Sequence, residues 1–188
     1  AQVVLSGIST DSVMVPQGLY LLGIARARAG SLHRALQTWH RLNSFPVAYP
    51  GVVESRIARV WALQQQGRPG RALSLTQGNR EFLNDAIAEL ESFIGRVRRE
   101  GGAEVVRSRL AEDQKLIRFL RSGSNISRSP TMAWFFRFIE NGGNIGDDVE
   151  TLDRAFLDFL ESQRSMLKRF KDRTLQQQAV LFERVALQ

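Results

Sequence analysis

The stretch QGLYLLGIARARAGSLHRALQTWHRLNSFP, residues 17–46, decides the fold. Leu22-Gly23 runs seven residues ahead of Gly30, and Ala35-Leu36 follows Gly30 by five. The same Gly-to-Ala-Leu spacing returns at Gly67 and Ala72-Leu73, 37 residues on. A fixed period of this size marks stacked helical hairpins, because one hairpin cannot bury its apolar face alone. Each residue type has a mechanical reason. Gly23 and Ala35 are small where two antiparallel helices cross, so the backbones can approach. Leu22, Leu32, Leu36 and Trp39 fill the crossing. Gly30 permits a tight turn, and Pro46 prevents continuation.

Outward from this stretch the spacing predicts an all-α chain. Residues 1–15 carry no helical period, and Gly7, Ser9, Thr10 and Pro16 read as breakers. Helices are expected over 17–29 and over 32–43, the second capped by Ser31. Pro46 and Pro50 bracket a loop. A third helix spans 52–66 and stops at Gly67. A fourth covers 71–75 and breaks near Gly78-Asn79.

The pattern then changes to longer helices. Residues 81–100 place Phe82, Ala86, Leu90, Phe93 and Val97 on one stripe, and Gly101-Gly102 ends the run. Residues 103–121 form another helix, with Val106, Leu110, Ile117 and Leu120 near one face. Residues 122–130 read as a polar loop. Residues 131–140 form a short, very apolar helix whose aromatics, Trp134, Phe135, Phe136 and Phe138, lie on too many sides for a solvated face. They belong in a core, in an oligomer interface or against a membrane, and a core is the expectation. Residues 147–187 form one long helix or two. There Val149, Leu152, Phe156, Leu160, Gln163, Leu167, Phe170 and Thr174 make a coiled-coil-like stripe. The division is therefore hairpin repeats over 1–78 and a capping or bundle region over 79–188.

Residues 17–46 resemble one tetratricopeptide repeat, and residues 54–75 resemble a second, with Val60 where the first has Gly23. A third copy decays around Ile94-Gly95 and Gly102, where Arg107 stands in place of the expected alanine. The resemblance covers about residues 17–75. The 37-residue step exceeds the family's usual length of about 34. It is similar to repeats of bacterial cell-envelope proteins, as is the loop with Phe45-Pro46 and Tyr49-Pro50. In the family the first helix of each pair lines a concave groove. Carried over by register, that groove holds Gln17, Tyr20, Ile24, Ala27 and Arg28, then Glu54, Ile57, Trp61, Gln64 and Gln65. The family's clamp for a peptide carboxylate uses Lys and Asn where this chain has Tyr20, Ile24, Ile57 and Trp61. The resemblance therefore implies an apolar or aromatic ligand, such as an amphipathic helix laid in the groove. The competing expectation is that the chain's own later helices fill it.

Charge is distributed unevenly. The chain carries a net charge of +7. Residues 1–78 hold eight arginines, Arg26, Arg28, Arg34, Arg41, Arg56, Arg59, Arg68 and Arg71, against Asp11 and Glu54. The remainder is nearly balanced. A basic half points to an acidic partner, nucleic acid or an anionic surface; the alternative is that arginine is simply the default surface cation. No run is apolar enough to span a membrane. The chain starts at Ala1, which reads as a processed leader or, as the expectation here, a segment of a longer protein.

The inventory for chemistry is thin. Without cysteine there are no disulfides, thiolate metal sites or thiol nucleophiles. His33 and His40 stand seven residues apart on one helix, about 10 Å by helical rise. That is too far to share a metal without a ligand between them. Asp147, Asp148 and Glu150 suit a helix N-terminus, where acidic groups complement the dipole. The run Gly142-Gly143-Asn144-Ile145-Gly146 lacks the lysine, the hydroxyl and the preceding strand of a phosphate loop and reads as a hinge. No metal, cofactor or catalytic residue is assigned.

Two functions are expected. The first is a non-enzymatic scaffold that binds another protein through Tyr20, Ile24, Arg28, Ile57, Trp61 and Gln65, with self-association through residues 131–188. The resemblance places it in an envelope complex or the periplasm, with the cytoplasm as the alternative. The second is nucleic-acid binding through Arg26, Arg34, Arg41, Arg59 and Arg71, with steep salt dependence.

Overall fold

A computed structural model describes residues 14–112, 129–143 and 148–186. Most of the expected leader, the second half of the helix expected over 103–121, the polar loop over 122–128, part of the glycine run and Asp147 lie outside them. The fold is all-α: the described residues form seven α-helices and one 3-10 turn, and no strand. The helices are α1 (Val15–Arg28), α2 (Leu32–His40), α3 (Val52–Gln65), α4 (Pro69–Glu100), α5 (Gly102–Glu112), α6 (Pro130–Glu140) and α7 (Val149–Ala186). The 3-10 turn, Arg41–Ser44, follows α2, so the second expected helix tightens at its end. Pro16 does not break the chain but sits in the first turn of α1, where its missing N–H costs no bond. Ser31 takes the N-cap position of α2 without a side-chain bond to it.

The two turns joining α1 to α2 and α3 to α4 are equivalent residue for residue. At the first, the N–H groups of Ala29, Gly30 and Ser31 donate to the carbonyls of Ala25, Ala27 and Arg26 at 3.1, 3.0 and 2.9 Å. At the second, those of Gln66, Gly67 and Arg68 donate to Ala62, Gln64 and Leu63 at 3.1, 3.0 and 3.0 Å. Each glycine has positive φ, +78° at Gly30 and +65° at Gly67, which lets the chain close the helix end and reverse. Ala35 and Ala72 then donate to Ser31 and Arg68 to open the next helix, and both alanines are fully buried.

α1 packs on α2 and α3, α2 on α3, and α3 on α4. The crossing of α1 and α2 is as tight as its small residues allow. Trp39, wholly buried, lies against Gly23 and donates its indole N–H to the Tyr20 carbonyl at 3.1 Å. The loop between Pro46 and Pro50 belongs to the core, with Val47, Ala48 and Tyr49 buried. Glu54 closes the start of α3 by accepting from the Gly51 N–H at 2.9 Å.

The break expected at Gly78-Asn79 is absent, and α4 runs through it for 32 residues. Gly78 is exposed with open space around it. Asn79 is buried, and its amide bonds to α3 rather than to its own backbone, donating to the Arg56 carbonyl at 3.2 Å. The competition that makes asparagine a helix breaker is therefore satisfied between helices. The point taken as the boundary between the two regions consequently stands in mid-helix.

The last helix is a single one of 38 residues, and it runs antiparallel along α4. Ion pairs fix the register: Arg98 with Glu161, and Lys168 with Glu91 at 2.8 Å. Of the expected stripe, Phe156, Leu160, Leu167 and Thr174 are buried, Leu152, Gln163 and Phe170 are half-buried, and Val149 is exposed. The aromatic helix α6 completes this end. Trp134 and Phe138 are buried, and Phe93, Phe135 and Phe138 surround Phe156 at centroid distances of 6.0, 5.7 and 5.1 Å. The core alternative for these aromatics is the one the fold adopts. One apolar core runs from Trp39 and Leu42 through Leu90 and Ile94 to Leu160 and Leu167. A smaller cluster joins Val60, Ala72 and Leu181, where the far end of α7 meets α3 and α4.

Candidate functional site

Three surfaces carry exposed or half-buried residues, the first of them shared with the core, against which Tyr20 and Ile24 pack. The first is the outward side of α1 and α3. Of the six expected groove residues, Arg28, Trp61 and Gln65 are exposed, with Trp61 at 42%. Tyr20, Ile24 and Ile57 are half-buried. The positions 57, 61 and 65 recur at four-residue steps and share one face of α3. Tyr20 also serves the fold. Its Cβ stands 2.5 Å from where a Cβ on Gly51 would be, so α1 meets the start of α3 there. Burial and the nearby Glu54 carboxylate push the Tyr20 hydroxyl pKa up. The φ of +89° at Gly51 and this approach both require glycine.

The second surface is electrostatic. Among the described residues every ion pair lies between Glu91 and Lys168. None of the arginines of α1, α2 or α3 pairs with a carboxylate there. Arg26 donates to the Thr38 hydroxyl instead. Arg56 and Arg59 are half-buried in the crevice between α3, α4 and the 3-10 turn. The Arg56 guanidinium lies 3.4 Å from the centroid of the Phe82 ring and donates to the Asn79 Oδ1 at 3.4 Å. Arg59 donates to the Asn43 Oδ1 at 3.2 Å. Burial first, and the Arg59 charge second, lower the Arg56 pKa to about 10. Burial also lowers that of Arg59. Both cations are thus drawn out of water against neutral partners.

The third surface is the end of α7. Leu175, Ala179, Phe182 and Ala186 are exposed and fall on one helical face, with Phe182 at 65%. The periodicity of the chain hides this stripe, because Leu181 and Thr174 of the buried stripe interleave with it.

Residues that suit chemistry are dispersed. His33 and His40 are both exposed on α2, bonded to Gln37 and Asn43 at 3.1 and 3.3 Å. Among the described residues no three His, Cys, Asp or Glu side chains group as a metal site. Asp148 receives the Thr151 N–H and hydroxyl at 2.9 and 2.6 Å, a cap at the start of α7 that lowers its pKa. No described helix is long and apolar enough to cross a membrane.

No protein-family model, curated protein or solved structure matches the chain.

Two sets of residues escape the sequence reading. The Arg56–Arg59 pair is signalled only by its i, i+3 spacing, and its partners Asn43, Asn79 and Phe82 come from other segments. Asp153 on α7 accepts from the N–H groups of Gly102 and Ala103 at 2.7 and 3.2 Å, capping α5 from 50 or more residues away. No local spacing announces such a bond.

Proposed function

We propose that the chain is a non-enzymatic scaffold that binds an apolar segment of another protein on the outward face of α1 and α3. The observation that carries this reading is Trp61. It is a large aromatic, 42% exposed, on the face that holds Ile57 and Gln65. Tryptophan is costly to leave in water and is enriched where partners bind. The order of helix packing and the two equivalent turns support a stack of tetratricopeptide-like hairpins, whose first helices offer such faces. The resemblance to envelope proteins extends the proposal to an envelope complex. The apolar stripe at Leu175 and Phe182 supports self-association through the end of α7.

The test is capture of partners by the immobilised chain from nuclease-treated lysate, followed by rebinding of the purified candidate. A protein held by the native chain and lost with Trp61→Ala supports the scaffold. A protein held equally by both variants sinks the groove.

A second reading, nucleic-acid binding, is favoured by one observation: the arginines of α1–α3 have no carboxylate partners among the described residues. Unneutralised cations are available to phosphates. Retention that depends on nucleic acid, with affinity falling steeply in salt, selects it.

A further inference from the structure

The Arg56–Arg59 crevice is distinct from the face proposed for a protein partner, since Trp61 lies on the other side of α3 by helical period. Two guanidiniums stand one turn apart on α3, close enough for the Arg59 charge to act on Arg56, and each is held in place from the side. Phe82 stacks under Arg56, the Asn79 amide oxygen accepts from its Nη1, and the Asn43 amide oxygen accepts from Arg59. Asn79 is itself anchored by donating to the Arg56 carbonyl. These partners orient the cations without neutralising them. The nearest acid in sequence, Glu54, is occupied by the Gly51 N–H. The Arg56 Nε is buried and makes no hydrogen bond. Each guanidinium uses one N–H in a bond to an amide and keeps others for a ligand.

Like charges side by side and partly out of water are unfavourable until an anion joins them. Planar guanidinium forks match the oxygens of a phosphate, and two of them balance its double charge. We propose that the crevice between α3, α4 and the Arg41–Ser44 turn binds a small phosphate-type oxyanion between Arg56 and Arg59. Asn79 and Asn43 each hold one of the two forks, and Phe82 fixes the plane of the Arg56 fork. The proposal does not depend on the groove reading.

The test uses the full chain with inorganic phosphate as the probe. Melting is followed across a phosphate titration and, in parallel, across potassium chloride at matched ionic strength. The expected result is a saturable rise in melting temperature with phosphate that chloride does not reproduce. Arg59→Gln, at the less constrained cation, removes the rise. Arg56→Lys keeps the charge but not the fork and weakens binding about tenfold. Arg99→Gln, on an exposed arginine in the last turn of α4, leaves the response unchanged. In arginine side-chain NMR of the native chain the Arg56 Nε–H shifts with the same midpoint, a readout that stands if a variant fails to fold. A response that chloride matches, that never saturates, or that survives in Arg59→Gln overturns the proposal by making it screening of the net positive charge. A single-stranded oligonucleotide that binds at Arg56 and Arg59 but is not displaced by phosphate also overturns it, in favour of a macromolecular ligand.

Discussion

Trp39 lies on the backbone of Gly23: a Cβ on Gly23 would stand 2.0 Å from the Trp39 Nε1. The neighbour is a large ring, wholly buried and bonded to the Tyr20 carbonyl, so it has nowhere to retreat. Gly23→Ala is expected to destabilise the chain by about 1–3 kcal/mol, the usual cost of overpacking a core. Chemical denaturation measures it. A neutral result would mean that α1 and α2 are not held at this distance.

Gly78 gives the opposite expectation. It sits inside α4, exposed, with open space where a methyl group would go, and its φ is ordinary. Gly78→Ala is expected to stabilise by roughly 0.5–1 kcal/mol through helix propensity and a less flexible unfolded chain. Asn79→Ala, one residue on, removes the bond to the Arg56 carbonyl and is expected to cost about 1–3 kcal/mol. If both substitutions are neutral, the helix does not run through this point.

Asp153 ties α5 to α7 through the Gly102 and Ala103 N–H groups. Asp153→Ala is expected to cost about 1–2 kcal/mol, in the range of a lost helix cap. Hydrogen exchange should quicken at Gly102 and Ala103 before it quickens in α2. Uniform change across the chain would contradict a local cap.

Acid should loosen the α4–α7 seam. The Lys168 ammonium holds the Glu91 carboxyl below its usual range, and bonds from Thr151 do the same for Asp148. A carboxyl whose folded pKa is depressed contributes stability above its unfolded pKa and loses it as the pH falls through the folded one. Melting temperature is therefore expected to fall between about pH 5 and about pH 2. Lys168→Met should lower the melting temperature above about pH 5 and remove the Glu91 part of the acid loss, leaving a shallower fall. An identical acid profile in the variant would remove Lys168 from the account.

Removing everything after Gly101 should unfold the hairpins. α4 buries Leu90, Phe93, Ile94 and Val97 in the core shared with Phe156, Leu160 and Leu167 of α7. A fragment ending at Gly101 exposes that face and is expected to aggregate or to lose its cooperative melt. A monomeric, well-folded fragment would count against this.

The first hairpin is the most legible part of the chain, because its rules are local. Gly30 and Gly67 need positive φ, Gly23 and Ala35 need closeness, and Pro46 cannot continue a helix. These demands leave marks within a few residues. Asn79 misleads for the same reason: its breaker tendency is local, while its partner on α3 lies 23 residues away. The groove positions follow from register alone. Trp61 and Gln65 are exposed, whereas Tyr20 serves the approach of α1 to Gly51. The arginine pair is visible in the sequence as charge and not as a crevice, since Asn43, Asn79 and Phe82 meet it only after α2, α3 and α4 have packed.

The small cluster of Val60, Ala72 and Leu181 sets a rule of timing. Leu181 stands more than a hundred residues beyond the other two, so the seam between α3, α4 and α7 closes only when the last helix is available. Long-range closure carries an entropic cost before its contacts form and slows the approach to the native state. During synthesis the early hairpins wait with an uncovered flank until the ribosome has released Leu181. Stalling the nascent chain before that residue should therefore leave α4 accessible to protease.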